Sequence, residues 1–326
     1  MRVLFNTYPV AFDCPGGGEI QLLKSREALV EAGVEVLLFD PWHPQFDRVD
    51  VVHYFSVQGG SSAFCGHVKG RGLPLLISPI LWLTEDGMSQ MDTGEIGHLL
   101  HICDLILPNS AAEAGQLSTH FGLNPEKFVV ILNAIDPSFG ETAPENCFRE
   151  HFGIDGPFVL NVANIEPRKN QLSLIRALKG LDVELIILGN IRYASYYEQC
   201  MREGEGFVRH LGYLDHQGDL LKAAYRACTV FALPSTLETP SLAALEAAAS
   251  GAKVVITGEG SAREYFGELV TYVNPLDVTD IRNGIVSALG SPKGSSQLKG
   301  HVLSNFTWAR TAKQLVQAYR RACPDT

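Results

Sequence analysis

The sequence predicts an α/β protein of two doubly wound domains, each a parallel sheet covered by helices on both faces. Three observations carry this. The chain has 326 residues, about twice the size of one ordinary domain. Short runs of branched apolar residues alternate with helical stretches, as expected of strands buried on both faces. The pattern also occurs twice, on either side of a stretch rich in proline and glycine.

In the first half the strand-like runs are 3–5, 36–39, 51–55, 75–80, 105–107 and 128–132; in the second they are 158–162, 185–188, 230–233 and 253–257. Between the two sets, residues 136–157 hold Pro137, Gly140, Pro144, Gly153, Gly156 and Pro157, the composition of a connection. A first domain is therefore expected over 1–140, a linker with one short helix near 145–151 over 141–156, and a second domain over 157–305. Residues 306–326 are expected to form a last helix, with Ala312, Leu315, Val316 and Tyr319 on one stripe. That stripe suits docking on either domain.

Composition excludes several functions. Hydrophobic residues make up 46% and charged residues 19%, which is the balance of a globular chain and not of a disordered or coiled-coil one. The net charge is -10, and residues 1–145 alone carry 7 Lys and Arg against 18 Asp and Glu. A groove that neutralises nucleic-acid phosphates is disfavoured, as is a polybasic membrane face. Seven cysteines with no C-x-x-C pair fit neither a disulfide framework nor a zinc site. With no signal-peptide pattern at the start, a reducing cytoplasmic location is expected. The longest apolar run, 73–83, is broken by Pro74, Ser78 and Pro79 and is too short to span a bilayer.

Three segments carry chemistry. After the first strand, Pro15-Gly16-Gly17-Gly18-Glu19 leads into a helix expected to reach Ala32 and close at Gly33. Glycines before a helix let an anion approach the backbone amides of its first turn. The segment lacks the third glycine of the dinucleotide fingerprint and the lysine of a P-loop, so a ligand-free turn is an equal alternative. After the strand at 158–162 comes Asn164-Ile165-Glu166-Pro167-Arg168-Lys169-Asn170-Gln171. Its two adjacent cations suit a diphosphate; a solvated helix start is the other reading.

The third segment runs from Leu233 to Gly251. Thr239 is expected as its N-cap, Pro240 as the first helical residue and Gly251 as the closing one. In that frame Glu246 lies about 9 Å along the axis from Pro240, and Glu238 stands just before the helix. Two carboxylates flanking a positive helix start would suit a nucleotide sugar. Alternatively, Glu238 is only a helix-start acid and Glu246 pairs with a core arginine.

Taken together, Glu238 and Glu246 at E-x7-E spacing, the Glu166-Pro-Arg-Lys-Asn-Gln segment, Gly16-Gly17-Gly18-Glu19 and Asp104-Leu-Ile-Leu-Pro-Asn-Ser resemble the retaining glycosyltransferases of the GT-B fold, family 4. The resemblance runs from residue 1 to about residue 320. It implies a donor nucleotide sugar held by the second domain and an acceptor held by the first, with the last helix crossing back to the first domain. By the same resemblance Glu238, with Thr239 and Pro240, would meet the donor sugar, Glu246 the ribose, and Lys169 and Arg168 the diphosphate. Backbone amides of Gly16, Gly17, Gly18, Ser241 and Leu242 would complete the phosphate cradle. Asn164, Asn190, Gly212, Tyr213 and Leu214 would lie near the base. His53, at the end of the strand 51–55, matches a family position facing the acceptor; a satisfied histidine under a loop is its other reading.

Three departures stand out. The family's usual arginine five residues before the lysine is Asn164 here, with Arg168 as a substitute. The histidine common after the fourth strand has no counterpart near Ser78 and Trp82, and Ala134 replaces a common turn glycine. His98 and His101 share a helix face but lack a third ligand, and no Asp-X-Asp pair is present. No metal and no cofactor are therefore expected. The implied function is metal-independent, retaining transfer of a hexose, with UDP-glucose the first choice of donor, to a glycan or glycoside acceptor. Partners are the nucleotide sugar and that acceptor, with no nucleic acid and at most peripheral membrane contact at the cytosolic face. The alternatives are a nucleotide-sugar or glycan-binding protein that has lost catalysis, and a GT-B epimerase.

Overall fold

The computed structural model describes residues 1–89, 91–141, 145–292 and 296–323. The chain forms two compact units, Met1–Ala134 with Phe306–Thr326, and Ile135–Asn305.

In the first unit the strands are β1 (Arg2–Asn6), β2 (Glu35–Leu38), β3 (Val51–Phe55), β4 (Leu75–Ser78) and β5 (Leu105–Ile106), in a parallel sheet of order β2-β1-β3-β4-β5. Helices α1 (Gly17–Glu31), α2 (Ser62–Gly70), α3 (Glu85–Met88) and α4 (Thr93–Ile102) lie between them in sequence, and α5 (Ala111–Phe121) follows β5. The central strand β3 is buried along its whole length, His53 included. Leu4, Val52, Leu75 and Ile77 from the sheet meet Val68, Leu99 and Leu117 from the helices in one core. The run at 128–132 does not become a ladder strand. Val129 N donates to Ile106 O and Ile131 N to Pro108 O, and only the single bridge from Phe128 to Ile106 forms beside the short β5.

The second unit has α6 (Glu145–Phe152), α7 (Gln171–Leu178), α8 (Ala194–Glu203), α9 (Asp219–Ala227), α10 (Leu242–Ala249), α11 (Ala262–Phe266), α12 (Val278–Gly290) and α13 (Ser296–Asn305). Its strands are β6 (Phe158–Val162), β7 (Glu184–Leu188), β8 (Val208–His210), β9 (Val230–Leu233), β10 (Val254–Thr257) and β11 (Thr271–Val273), parallel in the order β11-β10-β9-β6-β7-β8. The two edge strands, β8 and β11, are the shortest and contain Arg209, His210, Thr271 and Tyr272. An edge strand needs less apolar surface, so these two lack the signature of the central four.

The stretch expected as a linker is built into this unit instead. Phe148 of α6 is fully buried, 5.9 Å from the Phe158 ring of β6. Arg149 donates to Gly156 O (2.7 Å) and Ala227 O (2.9 Å). Proline and glycine here mark turns within the unit, not a solvated connection; residues 142–144 lie outside the described residues.

The last helix, α14 (Trp308–Ala322), belongs to the first unit and packs along α1. Its buried stripe is Trp308, Thr311, Ala312, Leu315, Ala318 and Tyr319. Thr311 Oγ1 donates to Leu132 O at 3.0 Å. Among the described residues no helix is long and apolar enough to cross a membrane.

Candidate functional site

In parallel sheets ligands are held by loops after the strand ends, and the second unit gathers most of the sequence candidates there. After β6 the chain turns through a single 3-10 turn, Pro167–Lys169, because Pro167 sets its first φ and Asn170 adopts the left-handed region at φ 57°. The Asn170 amide donates to Pro234 O (2.9 Å) and Pro275 O (2.8 Å), and Thr236 N donates to Arg168 O (2.9 Å). The loops after β6 and β9 are thereby fastened to each other.

The result is a short ion pair between Lys169 Nζ and Glu238 Oε1, 2.6 Å. Arg168 Nη1 stands 4.0 Å from the same oxygen, while its Nη2 donates to Glu166 Oε1 at 2.9 Å. Burial disfavours the charge on Glu238, but Lys169 and Arg168 overcome it and hold the carboxyl below its ordinary pKa. Burial pushes the Lys169 ammonium down, against the pull of Glu238. The carboxylate and the cation are thus held in contact with little water around them.

Glu238 is not part of a helix start. Its backbone forms a parallel bridge with Gly260, donating to Glu259 O (3.2 Å) and accepting from Ser261 N (2.9 Å). Gly260 has φ +97°, and a Cβ there would lie 2.1 Å from Glu238 O. Only glycine allows that approach. This bridge keeps Thr239 and Pro240 outside the helix, which corrects the expected N-cap. Ser241 is the cap, its Oγ accepting from Ala244 N at 3.1 Å, and Leu242 is the first helical residue. The amides of Ser241 and Leu242 accordingly lie at the true start of α10, where intrahelical acceptors are lacking. Gly251 ends the helix at φ +87° as expected.

Glu246 then lies about 6 Å along α10 from Leu242 and is buried. Its partner is no arginine. His216 Nε2 lies 2.5 Å from Oε1, and Tyr225 OH donates to Oε2 at 2.9 Å. Burial and the Glu246 charge raise the Tyr225 phenol well above its ordinary pKa, so it remains a donor. Sequence reasoning missed His216 and Tyr225. The signal for His216 was faint: it follows Leu214 by two residues in the loop expected to hold the base.

The base loops are tied to the same end of the sheet. Gly189 N donates to Gly212 O at 2.9 Å, and Ile165 N to Asn190 O at 2.8 Å. Asn164 Oδ1 accepts from Asn190 N at 3.4 Å. Gly189 sits at φ +147° with Ala163 O only 2.1 Å from where a Cβ would be, so the turn requires glycine. Tyr213 is exposed and Leu214 half-buried.

The remaining candidates lie in the first unit. Gly16 precedes α1 and its amide donates to Glu19 Oε2 at 2.7 Å; Gly17 and Gly18 form the first turn. Glu19 therefore already supplies one carboxylate to this helix start. His53 is the clear correction. Its ring is wholly buried, with Nδ1 2.8 Å from Tyr319 OH and Nε2 2.9 Å from Ser78 Oγ, and burial pushes its pKa down to about 3. It faces the inside of its own unit and not an acceptor, because α14 covers it.

His53 makes acid stability testable. An unfolded histidine titrates near 6.5 and this one near 3, so between those values the unfolded chain binds the extra proton. Stability contributed by the neutral ring is complete above about pH 6.5 and falls by up to about 1.4 kcal/mol per pH unit below it. Urea unfolding at about pH 7 and pH 5 should show a loss about 2 kcal/mol larger for the natural chain than for His53→Asn. Equal losses would mean that the ring takes up its proton without disturbing the fold.

Residues 145–300 match the family described as glycosyl transferases group 1. The matched segment contains Lys169, Glu238 and Glu246. The serotype-specific mannosyltransferase WbdA of Escherichia coli is 28% identical over 234 residues, which are 67% of this chain and 29% of WbdA. An N-acetylgalactosaminyltransferase of Campylobacter jejuni that acts on a diphospho-undecaprenol-linked sugar is 34% identical over 196 residues, 58% of this chain and 51% of that enzyme. The chain thus spans about a third to a half of these relatives. Among solved structures, sucrose-phosphate synthase of Thermosynechococcus elongatus superposes with a TM-score of 0.83 at 19% identity, covering 100% of this chain and 99% of that one. HepE of Anabaena, solved with UDP-glucose, superposes at 0.76 with 20% identity, covering 98% and 100%. The fold is that of GT-B glycosyltransferases.

Proposed function

We propose that this chain is a retaining hexosyltransferase that uses a nucleoside diphosphate sugar, UDP-glucose first among candidates, and passes the hexose to a glycan or glycoside acceptor without a metal. The observation that carries the reading is the Lys169–Glu238 pair at 2.6 Å, fixed by loops after adjacent strands. The mannosyltransferase name of one relative and the UDP-glucose complex of one structural neighbour support a hexose donor.

In this reading Glu238 turns from Lys169 to the hydroxyls of the donor sugar, and Lys169 with Arg168 turns to the diphosphate. The hard step is departure of that diphosphate, whose charge grows as the glycosidic bond breaks. Cations already in place stabilise it without reorganising. The acceptor hydroxyl attacks from the face the diphosphate leaves, so no carboxylate nucleophile is needed on the opposite face. Glu246 holds the ribose diol, with Tyr225 fixing its second oxygen.

Titration of the protein with UDP, UDP-glucose, GDP and GDP-mannose in excess EDTA tests the donor and the metal together. Binding should persist with the chelator and raise the melting temperature; at about a hundred times the dissociation constant the ligand adds about 2.7 kcal/mol. Loss of all binding in EDTA, restored by manganese, would overturn the metal-independent reading. Turnover of radiolabelled donor, slow hydrolysis included, separates an enzyme from a binding protein.

A further inference from the structure

Where the family carries an arginine, this chain has Asn164, and the structure supplies a guanidinium from another strand. Ile165 forms a parallel bridge with Ile191, so the loop after β7 lies against the loop after β6. Ile165 O accepts from both Arg192 N (3.2 Å) and Tyr193 N (3.3 Å). This fixes the backbone of Arg192 two residues before Pro167 opens the cationic turn. The side chain of Arg192 then reaches Glu166, Nη1 to Oε2 at 3.1 Å.

Glu166 is buried, its side chain 7% exposed, whereas those of Arg168 and Arg192 are 44% and 34% exposed. One carboxylate thus holds two guanidinium groups by its two oxygens, and both keep an outward surface. Adding the neighbouring pair gives a continuous chain of alternating charge: Arg192, Glu166, Arg168, Glu238, Lys169. Cations stand at both ends and in the middle of this chain, an arrangement that suits an anion with more than one charged oxygen. A guanidinium has five donors in a fixed fork and can bond a phosphate while remaining on a carboxylate.

We propose that Arg192 is a diphosphate-binding residue of this chain, replacing the arginine absent at position 164, and that Glu166 is the positioning residue that aligns it beside Arg168. This rests on the nucleotide-sugar reading above and deepens it. A purely structural role would have Arg192 only pin the two loops together. The two differ in what they do to ligands with and without phosphates.

The test is calorimetric titration of the natural chain, Arg192→Ala, Arg192→Lys, Glu166→Gln and the Glu166→Gln/Arg192→Ala double variant, with UDP and with uridine, and with GDP and guanosine in parallel. Arg192→Ala should weaken the nucleoside diphosphate about ten- to a hundredfold and the nucleoside by no more than about twofold. Arg192→Lys should fall between, since it keeps the charge but not the fork. In the double variant the loss should be well short of the product of the two single losses, as expected of residues acting through one contact. Equal weakening of nucleotide and nucleoside, or early melting with affinity per folded molecule unchanged, would overturn the assignment and leave Arg192 structural. If the natural chain bound neither UDP nor GDP, the nucleotide-sugar reading itself would fall, and this inference with it.

Discussion

Glu238→Gln should lower turnover about a hundredfold or more, as loss of a positioned polar group does, while nucleoside diphosphate affinity stays level or tightens by a few-fold. The second half of that expectation comes from the 2.6 Å contact with Lys169. A nucleotide must draw Lys169 away from a carboxylate, and glutamine is a weaker competitor for it than glutamate. Lys169→Ala should act in the opposite sense on binding. In the proposed reading it removes the cation that meets the diphosphate, and it leaves Glu238 buried with Arg168 4.0 Å away. Nucleotide affinity and turnover should both drop, because the charge Lys169 faces grows towards the transition state. Calorimetry of both variants with UDP, beside turnover at saturating donor, makes the comparison. Abolished nucleotide binding in Glu238→Gln together with an intact Lys169→Ala would reverse the assignment of sugar end and phosphate end.

Glu246→Ala should show two losses at once. Tyr225 OH is buried and donates to Glu246, so its orphaning should lower stability by about 1–3 kcal/mol. If Glu246 also holds the ribose, affinity per folded molecule for UDP and for UDP-glucose should fall by the same amount, about 1.5–3 kcal/mol for a hydrogen bond to a charged group. Equal decline for the two ligands is the diagnostic, since the ribose is common to both and the hexose is not. Early melting with unchanged affinity would make Glu246 a core partner of His216 and Tyr225 and nothing more.

The central strands are legible because burial on both faces leaves an apolar run, unbroken in β9 and interrupted only at His53 in β3. The edge strands β8 and β11 have one neighbour each and tolerate polar residues, so no such run marks them. At α10 both Thr239 and Ser241 have the chemistry of a cap. The choice fell to Ser241 because the bridge from Glu238 to Gly260 keeps the intervening backbone extended, a contact with a residue 22 positions away. Lys169 and Glu238 could be named from their spacing within recognisable segments, but their mutual contact spans 69 residues. His53 was read by its place on a strand end. Its burial depends on Tyr319, 266 residues later, and no local pattern around His53 announces that. His216 leaves only a faint signal for the same reason, as its carboxylate partner lies 30 residues further on in another element.

The first unit is discontinuous in sequence: Met1–Ala134 is completed by Phe306–Thr326, after the whole of the second unit. A ribosome making this chain releases every residue of the second unit before it releases Tyr319. Until then the imidazole of His53 lacks the phenol that satisfies Nδ1, and the face of α1 that receives α14 is bare. The unit begun first is therefore finished last, and that face must wait through the synthesis of about 170 residues, on the order of ten to thirty seconds at ordinary elongation rates. Moving α14 to the front of the chain by circular permutation would reverse that schedule without altering a single side chain.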